Sequence, residues 1–185
     1  MARTPTVTRD RIPERFQAAF DAETANTGGV VAGGPGYAMI NSPEMRRRCN
    51  QLSAYLRRES SLPLKIQELA MITTARAMDC QYIWNAHAAG ARREGVSDAV
   101  VDAMRDNLPL PAMPADESIV VTYGREFFET HRISQETFKA ALDQFGAQGL
   151  TELSTLMGYY ALLAFNANAF EIDLPEERTE PVLPI

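Results

Sequence analysis

Apolar residues recur along this chain at intervals of three and four, and no stretch alternates strictly between apolar and polar, so the pattern predicts an all-α protein. About seven helices can be placed. The first spans about Pro13 to Thr24, carried by Phe16, Ala19 and Phe20, with Pro13 suited to an opening turn. Ser42 as N-cap and Pro43 as first helical residue open a helix through Arg58 whose apolar stripe is Met45, Cys49, Leu52 and Leu56. From Pro63 to Met78 the chain is apolar around most of a helix, which marks that helix as central. The next runs from Cys80, with Asp79 as its expected cap, to about Glu94, and Gly95 stops it in a left-handed turn. Ser97 and Ser134 are cap candidates for later helices, Gly146 is a stop, and about Leu150 to Phe170 forms a long apolar helix fit for a core or a subunit interface.

Between the first two helices, TGGVVAGGPGYAMINSP has the glycine content of a phosphate-binding loop. It lacks the lysine and hydroxyl ending and follows no strand, so it is expected to be a flexible connection. The resulting organisation is one helical bundle: an N-terminal helix and glycine-rich connection over 1–40, a helical body over 41–175 and a tail over 176–185.

Composition narrows the function. The 185 residues are long enough for one sizeable core, and the formal charge of −6 argues against nucleic acid as a partner. The basic runs Arg46-Arg47-Arg48, Arg57-Arg58 and Arg92-Arg93 are expected to be solvated helix faces. Two cysteines, Cys49 and Cys80, are too few for a disulfide scaffold and fit a reducing, cytoplasmic setting. The N-terminal MARTPTVTRDRIPERF has no apolar core, so neither a signal peptide nor a membrane span is expected.

Three residues carry candidate chemistry. Glu68 lies on the apolar central helix, where a carboxylate needs a partner; Lys65 and Arg76 stand at helical distance and would suffice. Cys80 is placed in the first turn of its helix, where free backbone N–H groups favour a thiolate if the sulfur is not sealed in apolar surroundings. His87 follows two turns later on the same face, about 10 Å of rise away, too far for a direct thiol–imidazole bond without help. Zinc is disfavoured, because these three residues include no CxxC or HxxxH pair. Cys49, on an apolar stripe, is expected to be a small buried hydrophobe, and His131, after a helix end, a surface residue.

The segment ELAMITTARAMDCQYIWNAHAAGARREGVS resembles the signature of the carboxymuconolactone decarboxylase and alkylhydroperoxidase D superfamily: a helix with a glutamate, a turn, then a helix with cysteine at its start and histidine further along. Glu68, Cys80, His87, Gly95 and Ser97 fall on its positions, and flanking helices including LMGYYALLAFNANAF extend the likeness over about Asn41 to Pro175. The resemblance implies an alkylhydroperoxidase D-like helical bundle, assembly into dimers, trimers or hexamers, and no cofactor or metal. It also implies two chemistries. Alkylhydroperoxidase D members use a CxxC dithiol, whose second position is Ile83 here, so a peroxidase would depend on Cys80 alone and an outside thiol. Decarboxylase members move a proton at a carbon beside a carbonyl as carbon dioxide leaves, for which His87 and Glu68 are the expected pair on a small acidic or lactone-like compound. In that reading Arg76 holds the acidic substrate, and Tyr82, Ile83 and Trp84 line its pocket. A helical oligomer without catalysis is the third reading, in which Lys65 or Arg76 locks Glu68 and His87 is satisfied in the core.

Overall fold

The computed structural model describes residues 3–31, 33–178 and 180–185. Its helices are α1 (Glu14–Thr24), α2 (Gly34–Met39), α3 (Pro43–Arg58), α4 (Leu64–Ala77), α5 (Gln81–Arg93), α6 (Asp98–Arg105), α7 (Ala115–Thr130) and α8 (Gln135–Ala169), with short 3-10 turns at Arg9–Arg11 and Ala25–Thr27. The all-α, single-domain bundle expected from the periodicity is therefore found, with α2 as a short helix inside the expected flexible connection.

Helix α4 is the centre. Its residues Leu69, Ala70, Met71, Ile72 and Ala75 are fully buried, and it packs against α5, α7 and α8. Close approach of α7 needs Gly124, since a Cβ there would stand 2.7 Å from Thr73 Cγ2. The Ser97 hydroxyl accepts from Val100 N and that of Ser134 from Thr137 N, capping α6 and α8. Gly146 breaks the long C-terminal helix as its sequence suggests: its φ of 67° and ψ of 175° lie outside helical space, and the apolar half follows it. His131 ends α7 in a left-handed turn at the surface. Among the described residues no helix is long and apolar enough to cross a membrane.

Three local expectations are corrected. Asp79 does not cap α5; its backbone is left-handed (φ 47°), its carboxylate pairs with Arg76 at 2.7 Å, and Cys80 is the N-cap, with no side-chain bond. The α3 stripe is only partly buried: Leu56 is sealed, Cys49 is half-buried, and Met45 and Leu52 are exposed. The reason is that α3 packs through Pro43, Leu56 and the partly buried Arg46, Cys49 and Ser53, a face that does not coincide with its apolar stripe. The arginine runs are not simply solvated, because Arg92 is largely buried among Asp98, Asp102 and Glu180 and holds all three carboxylates.

That arginine also fixes the C-terminal tail, which packs on its own chain. Glu180 pairs with Arg92, Asn85 Nδ2 donates to Glu180 O, and Gln81 both donates to Leu183 O (2.7 Å) and accepts from Leu183 N (2.9 Å). The Leu183 side chain is buried in the main core with Cys80 and Trp84.

Candidate active site

Helices α4 and α5 pack along each other, and the contact brings together two residues nineteen positions apart. Glu68 projects from α4 and is mostly buried; His87 projects from α5, and its Nδ1 lies 2.8 Å from Glu68 Oε2. A carboxylate only accepts, so this pairing puts the imidazole proton on Nδ1 and leaves Nε2 as the free nitrogen. Among the described residues Nε2 has no hydrogen-bond partner. Gly90, one turn beyond His87, leaves the space: a Cβ there would sit 2.8 Å from Glu68 Oε2. The partners expected to neutralise Glu68 are engaged elsewhere, Lys65 with buried Glu117 and Arg76 with Asp79. The second group near Glu68 is instead Arg57 of α3, with Nη2 3.9 Å from Oε1.

His87 borders a cavity of about 240 Å³. Tyr82 and Ile83 line it; α3 adds Arg46, Asn50, Ser53 and Arg57, and α8 adds Tyr159, Tyr160 and Leu163. Part of the glycine-rich connection, Pro35, Gly36 and Met39, forms a further wall. The Tyr160 ring meets His87 edge-on at 5.1 Å, and burial pushes the hydroxyls of Tyr159 and Tyr160 up from their ordinary range, so both are neutral donors.

Two residues expected in this pocket lie outside it. Arg76 is held by Asp79 and donates to the carbonyls of Arg105 and Pro184, which leaves it no reach toward His87's cavity. Trp84 is fully buried in the core, and its indole N–H has no partner among the described residues. Cys80 is likewise fully buried and does not line the cavity. Burial pushes its thiol up, against the smaller opposing pull of the Tyr82 and Ile83 backbone N–H groups. The condition for a helix-start thiolate, a sulfur not sealed from water, is not met.

The residues missed from sequence had one faint signal. Arg46, Asn50, Ser53 and Arg57 recur at i, i+4, i+7 and i+11, the spacing of a single helix face. Polar residues at that spacing read as a solvated surface until a cavity is seen beneath them.

Residues 43–118, which span α3 to α6 and contain Glu68, Cys80 and His87, match the carboxymuconolactone decarboxylase family. The structure is similar to the alkylhydroperoxidase AhpD core of an uncharacterized peroxidase-related protein from Ralstonia eutropha, with a TM-score of 0.71 at 16% identity over 95% of this chain and 93% of that one. The chain therefore has an AhpD-like fold and, over residues 43–118, is similar in sequence to the carboxymuconolactone decarboxylase family. A second structure, an uncharacterized peroxidase-related protein from Silicibacter sp., aligns with a TM-score of 0.70 at 14% identity over 95% of this chain and 92% of that one. A third is the debrominase Bmp8, solved as a cysteine-to-alanine variant with 2,3,4-tribromopyrrole, at a TM-score of 0.66, 11% identity and 95% coverage of both chains. At these identities the likeness shows the fold alone. No curated protein matches the sequence.

Proposed function

We propose that this protein is a carboxymuconolactone decarboxylase-like enzyme that moves a proton at a carbon beside a carbonyl in a small acidic or lactone-like compound. The observation that carries this reading is the His87–Glu68 pair at 2.8 Å beside a cavity, with His87 Nε2 unpartnered among the described residues. In a decarboxylation the carbon–carbon bond breaks, carbon dioxide leaves, and the electron pair stays on the carbon, delocalised into the neighbouring carbonyl. His87, as imidazolium, delivers the Nε2 proton to that carbon, and Glu68 steadies the positive ring while it exists. Water then returns a proton to His87. Tyr159 and Tyr160 supply neutral donors for the carbonyl oxygen on which charge gathers.

The test is carbon dioxide release from a panel of carboxylated lactones and β-keto acids, with His87→Asn, Glu68→Gln and Cys80→Ser beside the wild type. Loss in the first two with retention in the third supports the reading. Retention in His87→Asn sinks it.

A second reading has its own support: a Cys80-dependent alkyl hydroperoxide reductase fed by an external thiol. Similar folds include peroxidase-related proteins, and the N–H groups of Tyr82 and Ile83 face the Cys80 sulfur. Hydroperoxide consumption with dithiothreitol that vanishes in Cys80→Ser would favour it. The non-catalytic reading loses ground because Lys65 and Arg76 both pair away from Glu68. We further take the 41–175 body as the catalytic unit, in a reducing cytoplasmic setting that suits two free cysteines. Self-association is expected through exposed apolar residues such as Leu162 and Phe165 of α8, and light scattering reads it directly.

A further inference from the structure

Of the four polar residues that α3 turns toward the His87 cavity, two are tied to Glu23, although the buried Arg46 Nε has no partner among the described residues. Glu23 accepts from Arg46 Nη1 at 2.9 Å and from Asn50 Nδ2 at 2.6 Å. Arg57 is different. Its nearest carboxylate oxygen, on Glu68, is 3.9 Å away and belongs to a group that His87 already engages, while the Arg57 side chain is 48% exposed. Arg58 beside it has no ion-pair partner among the described residues. Asn50, Ser53 and Arg57 also line a neighbouring open groove of about 440 Å³, whose two charged side chains are Arg57 and Arg58. On a chain of net charge −6 this is a locally positive approach that would draw an anion in.

The other cavity walls have the opposite character. Met39, Ile83 and Leu163 are apolar, and Tyr159 and Tyr160 present aromatic rings. The volume, about 240 Å³, falls below the ~300–1,000 Å³ of pockets that take drug-sized ligands.

We infer that the site takes a small, flat, largely apolar compound bearing a carboxylate that survives the reaction, with Arg57 as the residue that holds it; this rests on the acid–base reading of His87 above. A planar guanidinium matches a carboxylate through two parallel N–H donors. The held carboxylate is the one that stays, for an electrostatic reason. Loss of carbon dioxide removes the negative charge from the departing group, so a cation gripping that group would stabilise the ground state more than the transition state. Arg57 therefore anchors the far end of the substrate, and the reacting carbon faces His87 and the apolar wall.

Benzoate and its neutral analogue benzamide serve as probes, titrated into the full chain labelled at its methionine methyls, with Met39 in the cavity wall as the reporter. The expected result is a saturable Met39 shift with benzoate, binding about tenfold or more tighter than benzamide, and loss of that margin in Arg57→Gln with partial recovery in Arg57→Lys. High salt weakens benzoate and leaves benzamide unchanged. The inference is overturned if benzoate does not move Met39, if benzamide binds as well, or if Arg57→Gln leaves benzoate affinity intact while its thermal melt stays normal. The two readings fail separately. Arg57-dependent benzoate binding in a protein whose His87→Asn variant loses no activity would sink the acid–base reading alone.

Discussion

The two ends of α5 carry Cys80 and His87 in opposite surroundings. Cys80, at the N-cap, is fully buried in the main core; His87, two turns on, borders a cavity with its side chain 12% exposed. Both sit on one helix, so the difference comes from what packs against each end. The Cys80 end lies under the core and beside the C-terminal tail, which Gln81 grips through the Leu183 backbone. The His87 end faces α3 and α8, where polar and aromatic side chains leave space. A helix start makes a reactive thiol only when the sulfur is wet, because desolvation of the thiolate outweighs the help of two backbone N–H groups.

The comparison breaks most visibly at His87. Replacing it with asparagine should lower decarboxylation about 10²–10⁴-fold, whereas Cys80→Ser should leave turnover nearly intact; equal losses in the two variants would erase the distinction. Next in size is the seal over Cys80. Leu183→Ala removes a buried side chain and should cost about 2–5 kcal/mol in denaturant melts. In a Cys49→Ser background it should also speed alkylation of Cys80, which in the parent is slow at neutral pH and climbs only at a pH above the ordinary thiol range, because burial raises the thiol. An unchanged alkylation rate would show that something other than the tail covers the sulfur.

A smaller effect sharpens the other end. Gly90→Ala puts a methyl 2.8 Å from Glu68 Oε2, inside van der Waals contact, so it should destabilise by about 1–3 kcal/mol and displace the carboxylate from His87. Turnover should then resemble that of Glu68→Gln. The smallest effect uses a second buried glutamate as a control. Glu152 accepts from Tyr55, Ser61 and Gln148, and these bonds hold its carboxyl down to about 2. A depressed carboxyl contributes stability that is complete above its ordinary value of 4.5 and fades as pH falls toward 2. Acid melts should show that loss in the wild type and a flatter profile in Glu152→Gln, with no change in the pH dependence of turnover.

The legible part of the site was the part that local rules govern. Glu68 stood out as a carboxylate on an apolar helix, and His87 as a histidine two turns past Cys80; their meeting at 2.8 Å joins two helices that the turn at Asp79 sets side by side. Arg76 was a reasonable anion holder by sequence spacing, yet Asp79, three residues on, takes it, and Arg57 from a different helix stands at the cavity instead. Trp84 and Ile83 are neighbours in sequence, but successive helical residues point about 100° apart, so one lines the cavity and the other fills the core.

By itself the sequence determined the helical class, the caps at Ser97 and Ser134, the break at Gly146 and the identity of the acid–base candidates. Each rests on periodicity, capping or backbone freedom, which act within a turn or two of the residue concerned. Only the tertiary structure decided that Cys80 is dry, that the glycine-rich connection walls the site, that α3 shows the cavity its polar face and that Gln81 holds a tail residue 102 positions away. Those outcomes depend on which surfaces meet when the helices pack, and desolvation and charge pairing are set by that meeting.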